Sequence, residues 1–352
     1  MEAHRPEGPA VDPRHWWRRL ARTRLVFLVA AAVGLYVVWP RLVDVFAAAP
    51  GLRDISPWWF AVIVGLEMAS FVCYWGLMRI TLHEPRWPVV ATTQLASNAF
   101  SRLVPGGIVS GGPASYGMLI AAGAPRARTV AGLTATTLLS SAVLFALPVL
   151  TLPAMLGGAQ VDRSLVNALR IGAVLFLAII AGGATALFTD RPLALAGSLA
   201  QRLRNRLRRR QPPSHDLPVH LLAERDLIRG VLGDKWWQAL PLAAGNWLFD
   251  FSALLAALAS VGAHPRPSLV LLAYVVAALL GMVPVTPGGL GFVEVGLAAM
   301  LGLAGVGAAQ ATLATLAYRL VSFWLPIPIG GLALLLARRY VVPANGESTE
   351  GG

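Results

Sequence analysis

Acidic residues are scarce in this chain, 17 among 352, and charged residues of both signs make up only 13% of it. Soluble domains carry about twice that charged share, so an ordinary globular protein is excluded. Cys73 is the single cysteine, which rules out an intrachain disulfide and places no redox demand on the compartment. Histidines are few as well. His83 and His264 fall at matching interfacial ends of two segments with no third ligand near, so no metal site is expected. The sequence has no HExxH, no GxSG, no DGxxAR and no DxD near an interface. We therefore expect neither an enzyme nor a bound cofactor, with a membrane enzyme built on Glu294 and Arg319 left open as the alternative.

What the chain has is apolar: 56% of its residues are hydrophobic, in recurring runs long enough to cross a hydrocarbon layer of about 30 Å. The net charge of +12 is concentrated, with six of the 29 basic residues in 1–24 and nine in 201–235. Such clustering is what cytoplasmic loops of a membrane protein carry. Nucleic-acid binding is not expected, because no basic helix with interleaved aromatics stands apart from the membrane. The start, RHWWRRLARTR before LVFLVAAAVGLYVVW, imitates a signal peptide. Pro40, Arg41 and Asp44 interrupt the expected cleavage region, so we read an uncleaved first helix. Both termini are then expected on the cytoplasmic side of the cell membrane.

Crossings are expected near 25–46, 58–80, 128–157, 168–189, 236–261 and 308–337. Two further apolar stretches, 89–122 and 268–303, are each interrupted by Pro-Gly-Gly, in LVPGG (103–107) and VTPGG (285–289). Their halves are mostly too short to span, so each reads as a re-entrant hairpin. The two halves of the chain also match at a nearly constant offset. Trp58-Trp59 recurs as Trp236-Trp237, Pro85-Arg86 as Pro265-Arg266, Pro105-Gly106-Gly107 as Pro287-Gly288-Gly289, and Gly123 as Gly305.

The expected fold is all-α and polytopic, with about six transmembrane helices and two re-entrant hairpins in inverted repeats. A basic tail, 1–24, precedes a first helix and loop, 25–57. Repeat 1 covers 58–157, a linking helix 158–190, an Arg-rich cytoplasmic loop 191–235, repeat 2 236–340, and a disordered tail 341–352. Inverted repeats with broken helices are the architecture of alternating-access transporters. A duplication kept only for packing accounts for the same pattern. In the loop, Leu195, Leu199, Leu203 and Leu207 recur at spacing four among arginines, which suits a helix on an anionic leaflet or a plain topology determinant.

A helix broken in lipid leaves backbone groups unpaired at several kcal/mol each, so the breaks are expected to face protein or a wet cavity. Proline ends the incoming arm and paired glycines let the chain reverse. The outgoing arm then offers bare amides and the positive end of its dipole, suited to phosphate. At the first tip these are Gly106, Gly107 and Ser110, followed by Gly111 and Gly112; two tight turns packed together are the plainer reading. Charges inside the apolar segments add Arg102, Glu67, Asp250, Glu294 and Arg319. Glu294 and Arg319 are expected to pair, either as a structural salt bridge or around a phosphate. Glu67, Asp250 and Glu294 are candidates for carrying a coupling proton. Snorkelling, or a hydrogen bond to Asn246, is the simpler expectation for Glu67 and for Asp250.

The stretch PVTPGGLGFVEVGLAAMLGLAGVGAAQATLATLAYRLVSFWLPIPIGG, 284–331, resembles the family named for the transmembrane region of lysylphosphatidylglycerol synthase. NAFSRLVPGGIVSGGPASYGMLIAAGAP, 98–125, is similar to that family's earlier Asn…Pro-Gly…Gly segment. The resemblance implies a flippase for an anionic phosphate-bearing lipid, a phospholipid or a polyprenyl-phosphate-linked one. Carried over by position, it implies binding roles for Asn98, Pro105, Gly106, Pro287, Gly288, Gly289, Glu294 and Arg319. PASYGM and TATTLL stand where the family commonly has an arginine and a Glu-Arg pair, so the headgroup is expected to differ. No soluble aminoacyltransferase domain is seen, so lysine transfer is not expected of this polypeptide. Expected partners are anionic membrane lipids and, in the rival reading of a non-transporting scaffold, envelope glycosyltransferases.

Overall fold

The computed structural model describes residues 49–84, 86–103, 107–151, 181, 189–207, 222, 225–226, 229–230, 233–282 and 287–341. Among the described residues all regular structure is helical. Among them, four helices are long and apolar enough to cross a membrane: Pro57–Leu82, Arg126–Val149, Trp236–Ser260 and Ala308–Ala333. They coincide with four of the six expected crossings. The other two, 25–46 and 168–189, lie almost wholly outside the described residues.

In chain order the helices are α1 (Pro57–Leu82), α2 (Trp87–Leu103), α3 (Gly107–Ala121), α4 (Arg126–Ala146), α5 (Asp190–Leu207), α6 (Trp236–Ser260), α7 (Pro267–Gly281), α8 (Phe292–Leu303), α9 (Ala308–Arg319) and α10 (Pro326–Val341). Leu320–Trp324 form a wide π-type turn that carries α9 into α10. Pro57 sits in the first turn of α1, where its missing amide costs nothing. His83 ends that helix in a left-handed conformation. Just beyond, Arg86 pairs with Glu84 at 2.9 Å, and this hydrogen bond holds the Glu84 carboxyl below the usual carboxylate range. Arg79 lies over the Trp87 ring at 4.4 Å, so polar and aromatic groups collect at this end of α1.

The long helices are turned as lipid demands. In α1, Val64, Met68 and Val72 face outward while Glu67 and Ser70 are buried. In α6 the buried positions include the small residues Ala239, Ala243, Ala253 and Ala257, which let helices approach closely where lipid offers no hydrophobic drive to pack. Among the described residues, α1 and α6 form the most extensive pairing. Its contacts are Ser70 with Asn246, Cys73 with Gly245, and Gly76 with Leu242. One number rises as the other falls, so these two matched helices run antiparallel.

α2 packs on α3, and α7 on α8, each pair flanking a Pro-Gly-Gly break. The matched turns that follow are built alike. Gly123 (φ 91°) and Gly305 (φ 89°) are both left-handed, a conformation that glycine adopts without strain. Gly123 donates its amide to the Ile120 carbonyl and Ala124 to Leu119; Gly305 donates to Gly302 and Val306 to Leu301. The sequence match therefore extends to hydrogen bonds. Ile63, Leu144, Leu254, Val270, Leu297 and Ala314 are among the residues of the main core, which draws on both halves of the chain. Leu195 and Leu199 are exposed on α5, on the face expected to meet the leaflet; Leu203 and Leu207 have no described side chains.

A polar cavity beside the second break

Where α1 and α6 cross, Ser70 donates its hydroxyl to the Asn246 carbonyl at 2.8 Å. The Asn246 side-chain amide donates in return to the Ser70 carbonyl and hydroxyl, at 3.2 and 2.8 Å. Trp247 donates its ring N–H to the Ser140 carbonyl at 2.9 Å, joining α6 to α4. Asn246 thus serves Ser70 rather than either acid: in antiparallel packing the amide meets the residue opposite it, which is Ser70. Asn246→Leu should lower stability by about 1 kcal/mol, the scale of hydrogen bonds between membrane helices, as a modest shift in thermal unfolding.

Beyond this ladder lies a cavity of about 400 Å³, lined on one side by Glu67, Asp250 and Tyr274 and on others by Asn98, Arg102 and Arg319. Asp250 accepts hydrogen bonds at both carboxyl oxygens, from the Tyr274 hydroxyl and, at 2.9 Å, from the Tyr318 hydroxyl. Arg319 donates its Nε–H to Glu294 Oε1 at 2.8 Å, and Glu294 is only 3% exposed. The second Glu294 oxygen accepts the Gly291 amide at 2.7 Å. One buried Nη2 of Arg319 has no hydrogen-bond partner.

This arrangement corrects the expectation of a bare helix end at the second break; at the first break, residues 104–106 lie outside the described residues. At the second break the positive end of α8 is already met by the helix's own acid, three residues in, as in a capping box. The carboxylate beside the break therefore serves backbone and cation together. The donor left unpaired beside this break is the Arg319 Nη2 instead.

Phe323, set by the π-type turn, sits between the two cations. Its ring lies 4.2 Å from the Arg319 guanidinium and 4.9 Å from that of Arg102, while its carbonyl accepts a hydrogen bond from Arg102. The ring's negative face offsets the repulsion of two like charges brought together. The second break meets the end of α2 here as well. Gly288 (φ 58°) leaves so little room that a Cβ would stand 2.6 Å from the Phe323 ring and 3.3 Å from the Arg102 Cα. Glycine is required at that position on both counts.

Of the residues singled out from sequence, Glu67, Asn98, Arg102, Asp250, Gly288 and Arg319 line one cavity, with Glu294 one contact behind. Gly289 (φ 74°) is buried against Gly281 and Val293. Pro287 begins the short turn Pro287–Gly289, and Gly107 begins α3. Pro105 and Gly106 lie outside the described residues, as does the Ser110 side chain. Sequence reasoning missed Ser70, Ser101, Tyr274, Tyr318 and Phe323. Tyr274 and Tyr318 carried a usable signal, since the chain has only six tyrosines and these two lie within apolar helical runs.

The chain is similar to proteins already known. Over 76 residues, 22% of this chain and 23% of the relative, it is 37% identical to the UPF0104 membrane protein PH1989 of Pyrococcus horikoshii. That relative is thus matched over about a quarter of its length. The family model described as the lysylphosphatidylglycerol synthase TM region matches residues 12–330, spanning both breaks, the cavity and the π-type turn. The chain belongs to the lysylphosphatidylglycerol synthase TM-region family of membrane proteins.

Proposed function

We propose that this protein is a carrier that moves an anionic, phosphate-bearing lipid between the leaflets of the cell membrane, with both termini cytoplasmic. The observation that carries the reading is a polar cavity of about 400 Å³ holding two arginines inside a bundle whose outer faces are apolar. Buried charge is costly in a bilayer and collects along substrate paths. The volume falls in the range of small-molecule sites, suited to a headgroup whose acyl chains stay in lipid. Arg102 and Arg319 would hold the phosphate, and Asn98 and Ser101 would meet neighbouring oxygens.

The arms α2–α3 and α7–α8 fit re-entrant hairpins, each entering and leaving on one side. Antiparallel α1 and α6 and the duplicated turns fit the inverted repeats on which alternating access is built. Such a carrier catalyses no covalent step.

The experiment is reconstitution into phosphatidylcholine vesicles containing phosphatidylglycerol labelled on its headgroup side. Protein-containing vesicles should exchange the label between leaflets at least tenfold faster than protein-free ones. A rate no higher than in empty vesicles, under every ion gradient applied and with polyprenyl-phosphate probes as well, would sink the reading and leave the scaffold as its successor.

A further inference from the structure

Glu67 is 6% exposed, lines the cavity, and has a carboxyl oxygen, Oε1, with no hydrogen-bond partner. Burying a carboxylate oxygen without a donor is costly, so a feature of this kind calls for an explanation. The packing of α1 on α6 supplies the setting. Continuing the series of Ser70 with Asn246 and Cys73 with Gly245 one turn along both helices brings Glu67 opposite Asp250. Both carboxyl groups line the same cavity.

Among the described residues no salt bridge neutralises this pair. Among the described residues, Arg102, from α2, and Arg319, at the end of α9, are the cations that line the same cavity. Arg319 is bound to Glu294, and Arg102 to the Phe323 carbonyl. Tyr274, from α7, and Tyr318, from α9, direct their hydroxyls at Asp250. Asp250 is thus supplied with two donors and Glu67 Oε1 with none. Two negative carboxylates at neighbouring positions in a poorly solvated interior repel by several kcal/mol, whereas a single proton between them removes the repulsion and gives one of them an O–H to donate.

We propose that Glu67 and Asp250 form a proton-exchange site in which the two carboxyls bind one proton between them, taken from and returned to the cavity water. Glu294 is not part of it, because both its oxygens are committed to Arg319 and Gly291. The site lies within the cavity that Arg102 and Arg319 share. An anion entering that cavity adds negative charge beside the carboxyls and so favours their protonated form. By linkage the proton favours the anion equally, so headgroup and proton load together. This coupling rests on the transport reading above, while the proton site itself does not.

Two measurements on the full chain in phosphatidylcholine–phosphatidylglycerol vesicles separate the parts. Infrared difference spectra across a pH titration should show the carbonyl-stretch band of a protonated carboxylic acid, lost in Glu67→Gln and in Asp250→Asn. Either variant alone suffices if the other does not fold. A wild-type spectrum with no titrating band, or a band of undiminished size in the folded variants, overturns the proton site. Leaflet exchange of labelled phosphatidylglycerol should change several-fold with an imposed proton gradient, and that ratio should fall to one in the variants. Exchange that ignores the gradient in the wild type overturns the coupling. A titrating band that disappears in the variants, in vesicles that exchange no lipid, upholds the site and counts against the transport reading alone.

Discussion

Arg319→Met should unfold much of the protein and, on the transport reading, stop lipid exchange, and the two losses can be separated. Glu294 is almost fully buried, and removing its cation leaves a carboxylate in the interior with only the Gly291 amide to stabilise it. Breaking a buried ion pair from one side costs about 3–5 kcal/mol, enough to show as a loss of monodisperse protein and a large fall in thermal midpoint. The double change Glu294→Gln with Arg319→Met removes the stranded charge. Glutamine still accepts the Gly291 amide, since it serves in a capping box as glutamate does. The double variant should regain most of the stability while exchange stays at the level of empty vesicles. Recovery of both would make the pair structural only and move the anion site away from Arg319.

Gly330→Ala is the second large effect. A Cβ at Gly330 would stand 2.2 Å from the Leu95 carbonyl oxygen and 2.6 Å from the Ala99 Cβ, so α10 could not keep its place on α2. Backbone is what it strikes, and backbone cannot turn aside as a long side chain can. Overpacking costs about 1–3 kcal/mol, with the upper end expected here. The neighbouring Gly331 has open space at the same point, so Gly331→Ala should be neutral or slightly stabilising, as alanine favours helix. Equal thermal midpoints for the two variants would show that α2 and α10 are not in this close contact.

The class of fold was legible because lipid leaves few choices: apolar runs of the right length must be helical, and Trp-Trp, Pro-Gly-Gly and the isolated Gly123 and Gly305 mark equivalent places along two copies. The pairing of Glu294 with Arg319 was legible too, since isolated charges in such runs have few partners. Its second use was not. That Glu294 also meets the Gly291 amide follows from the local turn at the break, whose left-handed Gly288, Gly289 and Gly291 set where α8 begins. The direction taken by Asn246 was also beyond reach, because it depends on the register of α1 against α6 and a shift of one residue changes which side chains meet. Phe323 gave no signal, being one aromatic residue among many in an apolar run until a π-type turn rotates it toward the cavity. Such wide turns recur at functional positions, and here one puts a ring between two guanidinium groups.

Phe323 also joins three parts of the chain through one side chain and one peptide group: the end of α2 through Arg102, the second break through Gly288, and the last long helix through Arg319. It works as a latch with three tongues. An anion that drew either cation off the ring would loosen the bolt for all three, so occupancy of the chamber and freedom of the surrounding walls would become a single event.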